Sequence, residues 1–305
     1  MGNAKTNTFF RKTFSLLSVI RGYNIIILIA AQYLAAIFIF SESKILSSII
    51  YDIHLLYLVI ATVCVVAAGY IINNFYDLKA DRINRPLKSG VDAYIKQETK
   101  LSLYFLLNFL GFSFGWLVSW RAALFFSMYI FGIWLYSHKL KRLPLTGLLS
   151  ASTLTILPFF VIFVHYKNFS EIIFIHALFL FLIISARELF KDLENIRGAI
   201  ANNYNTFPVV YGIKNTKLLI TLLLSFALLP MLYLFFNKDT QHMRYYFLLA
   251  SITIVFISIF TWKSNRRKDY LLLHNILKLL LLIGVFSLLL IDKKIILDKL
   301  TLLIN

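Results

Sequence analysis

Two short polar tracts interrupt an otherwise apolar chain of 305 residues, of which 60% are hydrophobic. The first tract contains Asn73, Asp77 and Asp81, which recur every four residues, and the second contains Glu188 and Asp192, also four residues apart. This spacing places each set on one face of a helix. Each tract directly follows a long hydrophobic run, where ionisable groups cost free energy and are rare. The pattern therefore predicts that both tracts belong to a functional site.

Carboxylates gathered at one site repel one another unless a cation neutralises them. Asp and Glu oxygens without nearby His or Cys suit Mg²⁺, which usually binds one or two carboxylates together with substrate phosphates. Basic residues are interleaved with these acids and could bind the remaining phosphate oxygens. Acids that hold a metal beside cations that hold an anion indicate a diphosphate, and the abundance of Phe and Tyr indicates that it carries a lipid chain. The basic residues are Arg21, Arg82, Lys141, Arg187 and Lys191.

The elements that must position these tracts are membrane helices. Nine apolar runs of roughly 17–22 residues are each long enough to cross the hydrocarbon core. The sequence therefore predicts an all-α polytopic membrane protein, with about nine transmembrane helices surrounding a central lipid-accessible cavity that has a polar cap on its cytoplasmic side. Residues 1–305 are expected to form a single domain that begins with a cytoplasmic N-terminal arm of about residues 1–22. The predicted spans are 23–40, 53–73, 101–119, 122–137, 145–164, 171–187, 216–236, 245–262 and 271–291.

Lys and Arg concentrate in the N-terminal arm and in alternate connections between the spans. By the positive-inside rule, the N-terminus and both polar tracts face the cytoplasm. We therefore expect a multi-pass protein of the cytoplasmic (inner) membrane whose active-site mouth opens to the cytoplasm. The net charge of +17 agrees with this topology and with attraction to anionic membrane lipid. The basic residues are dispersed over loops, which argues against nucleic acid as a partner, and nothing indicates an obligate protein partner.

At these tracts the sequence resembles the UbiA-type intramembrane prenyltransferases. The family's first motif, Asn-Asp-x-x-Asp-x-x-x-Asp, is similar to residues 73–81, and its second, Lys-Asp-x-Glu-Asp-x-x-Gly-Asp, is similar to residues 191–199. Arg21 and Asn24 resemble the family's Arg-x-x-Asn on the first helix, and residues 136–142 resemble its basic, tyrosine-containing loop. The nine predicted spans also agree with the family fold.

The resemblance implies Mg²⁺-dependent transfer of a prenyl group from a polyprenyl diphosphate to a small acceptor within the membrane. It implies catalysis by Asp77, Asp81 and Asp192, with these three, Glu194 and Glu188 as metal ligands. The residues expected to bind the diphosphate are Arg21, Asn24, Asn73, Lys141, Arg187 and Lys191.

Three positions depart from the family pattern, because Asn74, Asn195 and Ala199 stand where the family usually has Asp. Fewer acidic ligands should weaken metal binding, so one alternative is a catalytically impaired homologue that binds prenyl diphosphate. The form of the second motif weakly favours an acceptor of the isoprenylglycerol phosphate type. An aromatic quinone precursor of the 4-hydroxybenzoate or homogentisate type is the alternative acceptor.

Two further interpretations come from other classes. A single Asp at a helix end is usually a solvated cap or an interfacial anchor, but the spacing repeated in two tracts favours a site. A secondary transporter would carry its ionisable residues near the middle of the bilayer on broken helices, whereas these lie at the ends of spans.

Overall fold

In the computed structural model of the protein, residues 2–40 and 46–291 are described, with side chains from residue 11 onward. The described residues form helices joined by short turns and include no β-strand, which confirms the predicted all-α architecture. The helices are α1 Gly2–Val19, α2 Gly22–Ala35 with a π-helical continuation Ala36–Phe40, α3 Leu46–Ile50, α4 Ile53–Tyr76, α5 Leu78–Asn84, α6 Pro86–Asp92, α7 Gln97–Val118, α8 Trp120–His138, α9 Pro144–Tyr166, α10 Glu171–Glu194, α11 Ile196–Ala201, α12 Phe207–Phe236, α13 Arg244–Lys263 and α14 Arg267–Ser287.

Eight helical segments within the described part of the chain are long and apolar enough to cross a membrane. They contain α2, α4, α7, α9, α10, α12, α13 and α14. The predicted span 122–137 is also helical, as α8, but α8 is not among these eight segments. The chain is an integral multi-pass membrane protein, and nine was an approximate count of its spans.

Polar side chains from neighbouring helices donate hydrogen bonds to backbone carbonyls around a proline in α9. Pro158 lies inside α9, and because proline has no N–H, the carbonyl of Leu154 loses its usual helical donor. The Tyr129 hydroxyl of α8 donates to that carbonyl at 3.1 Å. The buried Gln32 amide of α2 donates to the Pro158 carbonyl at 2.9 Å. These two bonds tie three helices together where an unpaired polar group would be costly.

Both polar tracts lie at a break between a long helix and a short one. The backbone leaves the helical region at Asp77 (φ −92°, ψ 5°), between α4 and α5, and at Asn195 (φ −103°, ψ 12°), between α10 and α11. Asn84, the last residue of α5, joins the two short helices. Its amide donates to the Asn195 carbonyl at 3.3 Å, and its side-chain oxygen accepts from the Gly198 N–H at 3.2 Å. The two tracts therefore lie at the same end of the bundle.

The second tract lies farther inside its helix than the sequence predicts. The predicted span ends at residue 187, whereas α10 continues to Glu194. That boundary was wrong because Leu189, Phe190 and Leu193 are buried and keep this part of the helix packed against the core. The acids and bases of the tract lie between these apolar positions, within the last turns of α10.

Candidate active site

Asp77 is paired with a lysine from a different connection. The turn at Leu140–Arg142 places the Lys141 ammonium 2.6 Å from Asp77 Oδ1 and 3.4 Å from Asn73 Oδ1. The side chains of Lys141 and Asp77 are 7% and 18% exposed, so water screens their attraction only weakly. Burial lowers the pKa of Lys141, while the neighbouring Asp77 carboxylate acts in the opposite direction. The structure thus brings together three predicted site residues, two of them as an ion pair.

Tyr204, from the turn before α12, contacts both members of this ion pair. Its hydroxyl donates to Asp77 Oδ1 at 3.3 Å, and its ring centroid lies 5.7 Å from the Lys141 ammonium. The Tyr76 ring lies at the same distance from that ammonium. Burial and the Asp77 carboxylate raise the pKa of Tyr204 to about 12. No motif in the sequence marks Tyr204, because the fold alone brings it to Asp77.

The carboxylates of Asp81 and Asp192 have no partner within the described part of the chain. Neither carboxylate accepts a hydrogen bond or forms an ion pair with another described residue. Burial raises the pKa of Asp81, and the Asp77 carboxylate adds to this effect, although nearby Lys and Arg side chains oppose it. Lys191 and Glu188 are the charged groups close to Asp192. These two carboxylates remain available to a ligand.

The remaining charges of the second tract are paired with one another. Glu188 accepts from Lys191 at 2.5 Å and from Arg187 at 3.3 Å. The side chain of Glu188 is 11% exposed, against 30% for Lys191. A diphosphate that bound to Arg187 and Lys191 would therefore compete with Glu188 for these two cations.

A pocket lies beside the second tract. Lys141, the partner of Asp77, lines this pocket together with Glu188 and Asp192. Tyr136 of α8 lies between the tracts, within electrostatic range of Asp77 as well as both acids of the second tract. Lys141 thus joins the first tract to this pocket, whereas Asn73, Asp77 and Asp81 are not among the lining residues. The lining residues are Tyr136, Lys141, Leu143, Gly147, Leu148, Ala151, Glu188 and Asp192.

Arg21 and Asn24 meet at one tyrosine on α4. The Arg21 guanidinium lies 4.9 Å from the centroid of the Tyr70 ring, and the Asn24 amide donates to the Tyr70 hydroxyl at 3.2 Å. Tyr70 precedes Asn73 by about one helical turn, so these side chains lie beside the first tract. Arg21 has a left-handed backbone conformation (φ 53°), which separates α1 from α2.

Glu194 is held apart from the other predicted metal ligands. Its side chain is 3% exposed, and its carboxylate lies 3.6 Å from the Arg267 guanidinium. That guanidinium also donates to the Asn84 carbonyl at 2.6 Å. Glu194 is not among the residues that line the pocket. Through Arg267, Glu194 therefore connects α10 with α5 and α14.

Two positions where the sequence lacks the family's Asp have structural partners. The Asn74 amide donates to Asp92 at 3.1 Å, and its oxygen accepts from Lys100 at 2.9 Å. The Asn195 amide donates to the Lys191 carbonyl at 2.8 Å. Asn74 Oδ1 is thus occupied by Lys100, whereas Asn195 Oδ1 is buried without a hydrogen-bond partner among the described residues.

The acids near the pocket are too few to hold a metal without further ligands. Among the described residues, no three Asp, Glu, His or Cys side chains lie close enough together to bind a metal by themselves. Mg²⁺ needs only one or two carboxylates when substrate phosphates complete its coordination. Asp192 in the pocket and Asp77 and Asp81 in the first tract are carboxylates of the type that such a metal uses.

Comparison with known proteins identifies the family. The model of the UbiA prenyltransferase family matches residues 33–282. The chain belongs to this family. It is accordingly a prenyltransferase, as the motifs predicted. A digeranylgeranylglyceryl phosphate synthase of Methanobrevibacter smithii is 30% identical over 251 residues, which cover 78% of this chain and 82% of that protein. The enzyme of the same name from Methanosphaera stadtmanae is 27% identical, covering 75% of this chain and 86% of its own.

Solved structures confirm the fold of this UbiA-family protein. A structure described as a digeranylgeranylglyceryl phosphate synthase in membranes matches with a TM-score of 0.69 and 21% identity, covering 91% of this chain and 97% of that one. A UbiA homologue from Archaeoglobus fulgidus, bound to GPP and Mg²⁺, matches with a TM-score of 0.63 and 12% identity, covering 90% and 99%. At these identities the likeness establishes the shared fold.

Proposed function

We propose that this UbiA-family protein transfers a geranylgeranyl group from geranylgeranyl diphosphate to geranylgeranylglyceryl phosphate, with Mg²⁺ as cofactor. The observation that carries the proposal is the convergence of Lys141, Glu188 and Asp192 on one pocket, with Asp77 bound to Lys141. Such a pocket suits a metal–diphosphate group. The acceptor is supported by relatives named digeranylgeranylglyceryl phosphate synthase, since a product with two geranylgeranyl groups requires an acceptor with one.

The proposed reaction breaks the bond between the allylic carbon and the diphosphate oxygen. Asp77, Asp81 and Asp192 would hold Mg²⁺, which neutralises charge on the departing diphosphate when bound. Lys141 is buried beside the pocket, so its attraction for a phosphate oxygen is little screened by water. Arg187 and Lys191 would bind the other phosphate oxygens. Each of these cations has a carboxylate partner in the structure, and the diphosphate would replace that partner and leave the carboxylate free for the metal.

The departing diphosphate leaves an allylic fragment with positive charge spread over three carbons. Aromatic faces attract such a cation, and the rings of Tyr76 and Tyr204 already lie 5.7 Å from the Lys141 ammonium. A glycerol hydroxyl oxygen then attacks the allylic carbon, forms the ether bond and releases its proton to the diphosphate or to solvent. The pocket walls of Leu143, Leu148 and Ala151 limit access by competing water.

The replaced acidic positions are compatible with an active enzyme. Asn74 is engaged by Asp92 and Lys100, and Asn195 by a backbone carbonyl of its own helix. Neither amide forms a hydrogen bond with Asp77, Asp81 or Asp192, and these three carboxylates are retained in the sequence. This favours a catalytic protein over an impaired homologue that only binds prenyl diphosphate.

We further infer that the protein lies in the inner membrane and that its pocket opens on the cytoplasmic side. The support is the concentration of Lys and Arg in the connections at the end of the bundle that holds both tracts. The acceptor would reach the pocket from the bilayer.

Radiolabelled geranylgeranyl diphosphate and Mg²⁺, supplied to membranes that contain the protein, test this function. Geranylgeranylglyceryl phosphate, 4-hydroxybenzoate and homogentisate are offered in separate reactions. We expect a labelled ether lipid with the first acceptor and no product with the aromatic ones. A product with an aromatic acceptor alone would refute the proposed acceptor. Binding of the diphosphate without turnover of any acceptor would instead establish the impaired homologue.

A further inference from the structure

Lys278 is a cation in the middle of an apolar membrane helix. It lies eleven residues after Arg267, the first residue of α14, which is about 16 Å along the helix axis. Its ammonium donates to the Tyr23 hydroxyl of α2 at 3.3 Å and lies 4.3 Å from the centroid of that ring. No carboxylate among the described residues pairs with it. A cation inside an apolar span is costly, and a neutral phenol does not compensate its charge.

Two arginines surround the same tyrosine. Arg21 and Arg85 both lie within electrostatic range of the Tyr23 hydroxyl. Neither guanidinium forms an ion pair with a described carboxylate, and Arg21 rests on the face of the Tyr70 ring. Three cations therefore lie within electrostatic range of one hydroxyl, and none of them forms an ion pair with a described carboxylate.

These cations connect the lipid-facing surface to the metal-binding motif. Tyr23 is 57% exposed, at the seam where α2 packs against α14. On the other side, Arg21 and Arg85 lie within electrostatic range of the Asp81 carboxylate. A molecule bound between Lys278 and the arginines would thus lie beside the first tract while remaining in contact with the bilayer.

We propose that Lys278, Tyr23, Arg21 and Arg85 bind the phosphate monoester of the lipid acceptor. The proposal rests on the proposed function, since it assigns a place to the acceptor's head group. A phosphate monoester carries up to two negative charges and several acceptor oxygens, which match an ammonium, a phenol and two guanidinium groups. The phosphate at Lys278 would leave the glycerol hydroxyl directed towards Asp81, while the hydrocarbon chain stays in the seam between α2 and α14.

Binding and kinetics of four proteins test this site: wild type, Lys278→Leu, Lys278→Arg and the matched control Lys268→Leu. Lys268 lies on the same helix, is exposed and has no partner among the described residues. We expect Lys278→Leu to raise the KM for geranylgeranylglyceryl phosphate about tenfold or more, with the KM for geranylgeranyl diphosphate changed by less than about twofold. Lys278→Arg should retain most of the acceptor affinity because it retains the charge. Lys268→Leu should behave as wild type.

Direct binding of tritiated geranylgeranylglyceryl phosphate, in detergent without Mg²⁺ or diphosphate, separates this proposal from the proposed function. The site is supported if Lys278→Leu loses binding while the wild type, Lys278→Arg and Lys268→Leu retain it. This holds even if the wild type transfers no prenyl group. Equal binding by Lys278→Leu and wild type would overturn it, as would a rise in the diphosphate KM that matches the rise for the acceptor. Equal competition by phosphatidylglycerol would also overturn it, because the site would then recognise ordinary bilayer lipid.

Discussion

The Lys141 ammonium donates a 2.6 Å hydrogen bond to the Asp77 carboxylate, across 64 positions of sequence. Lys141 also lines the pocket that holds Glu188 and Asp192. One side chain therefore links the first tract to the second. When an anion enters the pocket, the same ammonium can turn from Asp77 to a phosphate oxygen and leave the carboxylate free for a metal.

Replacement of Lys141 by Met should remove this link while it keeps most of the side-chain volume. We expect kcat/KM for the diphosphate to fall about 100-fold, the size expected for a charge-assisted contact to a reacting group. Lys139→Met is the matched control, because Lys139 is exposed and has no partner among the described residues. Steady-state kinetics of both variants in proteoliposomes give the comparison. Equal activities of the two variants would contradict a role for Lys141 in diphosphate binding.

Tyr204→Phe removes one hydroxyl from the site. The hydroxyl donates to Asp77 at 3.3 Å, so its loss should lower kcat/KM by about threefold to tenfold, which corresponds to one modest hydrogen bond. Tyr211→Phe provides a control, since the Tyr211 hydroxyl makes no hydrogen bond with a described residue. Prenyl transfer under subsaturating diphosphate reports the effect. A Tyr204→Phe enzyme as active as the control would show that Tyr204 does not position Asp77.

A substitution at Asn74, where the family usually has Asp, tests whether this position supports the fold or binds the metal. Its amide lies 3.1 Å from an Asp92 oxygen, so Asn74→Asp would place two carboxylates in contact and should destabilise the protein by about 1–3 kcal/mol. The double change Asn74→Asp with Asp92→Asn should recover most of that loss, because it restores one amide and one carboxylate. Thermal unfolding of the wild type, the two single variants and the double variant measures the cycle. A gain in Mg²⁺ affinity by Asn74→Asp without loss of stability would instead mark a metal ligand.

Gly198 lies where the short helices α5 and α11 pack closely together. A Cβ at this position would lie 2.2 Å from Asn84 Nδ2, whereas a Cβ at Gly90 would meet no atom within 4 Å. Gly198→Ala should therefore displace Asn84 and lower the free energy of unfolding by about 1–3 kcal/mol. Gly90→Ala should not destabilise the protein. Similar unfolding temperatures for both variants would show that the Asn84 contact does not hold the tracts together.

The sequence predicts the chemical groups of the site better than their partners. Asp77, Asp81 and Asp192 could be found because helical spacing and charge after an apolar run are local features of the chain. The ion pair between Asp77 and Lys141 could not be predicted from such features, since it depends on how α4 meets the turn before α9. Tyr204 was missed for the same reason. The chain contains 17 tyrosines, and nothing in the local sequence distinguishes Tyr204 from the others.

The fold shows the same division between local and long-range information. Apolar length predicts the membrane helices, but it does not place the end of α10, where buried Leu189 and Leu193 continue the helix through the charged tract. Glu194 was chosen as a metal ligand by its position in the motif. Its pairing with Arg267, 73 positions later, is a tertiary contact that no local pattern reveals.

The central claim is that both tracts hold one metal–diphosphate group in one pocket. Electron paramagnetic resonance of Mn²⁺, titrated in the presence of geranylgeranyl thiolodiphosphate, measures this directly. We expect Asp77→Ala and Asp192→Ala each to weaken Mn²⁺ binding by about tenfold or more, and Asp77→Ala to abolish prenyl transfer while inserting normally in the membrane. Glu171→Ala, at the opposite end of α10, should bind Mn²⁺ as wild type. Wild-type Mn²⁺ affinity in Asp192→Ala would contradict a site shared by the two tracts.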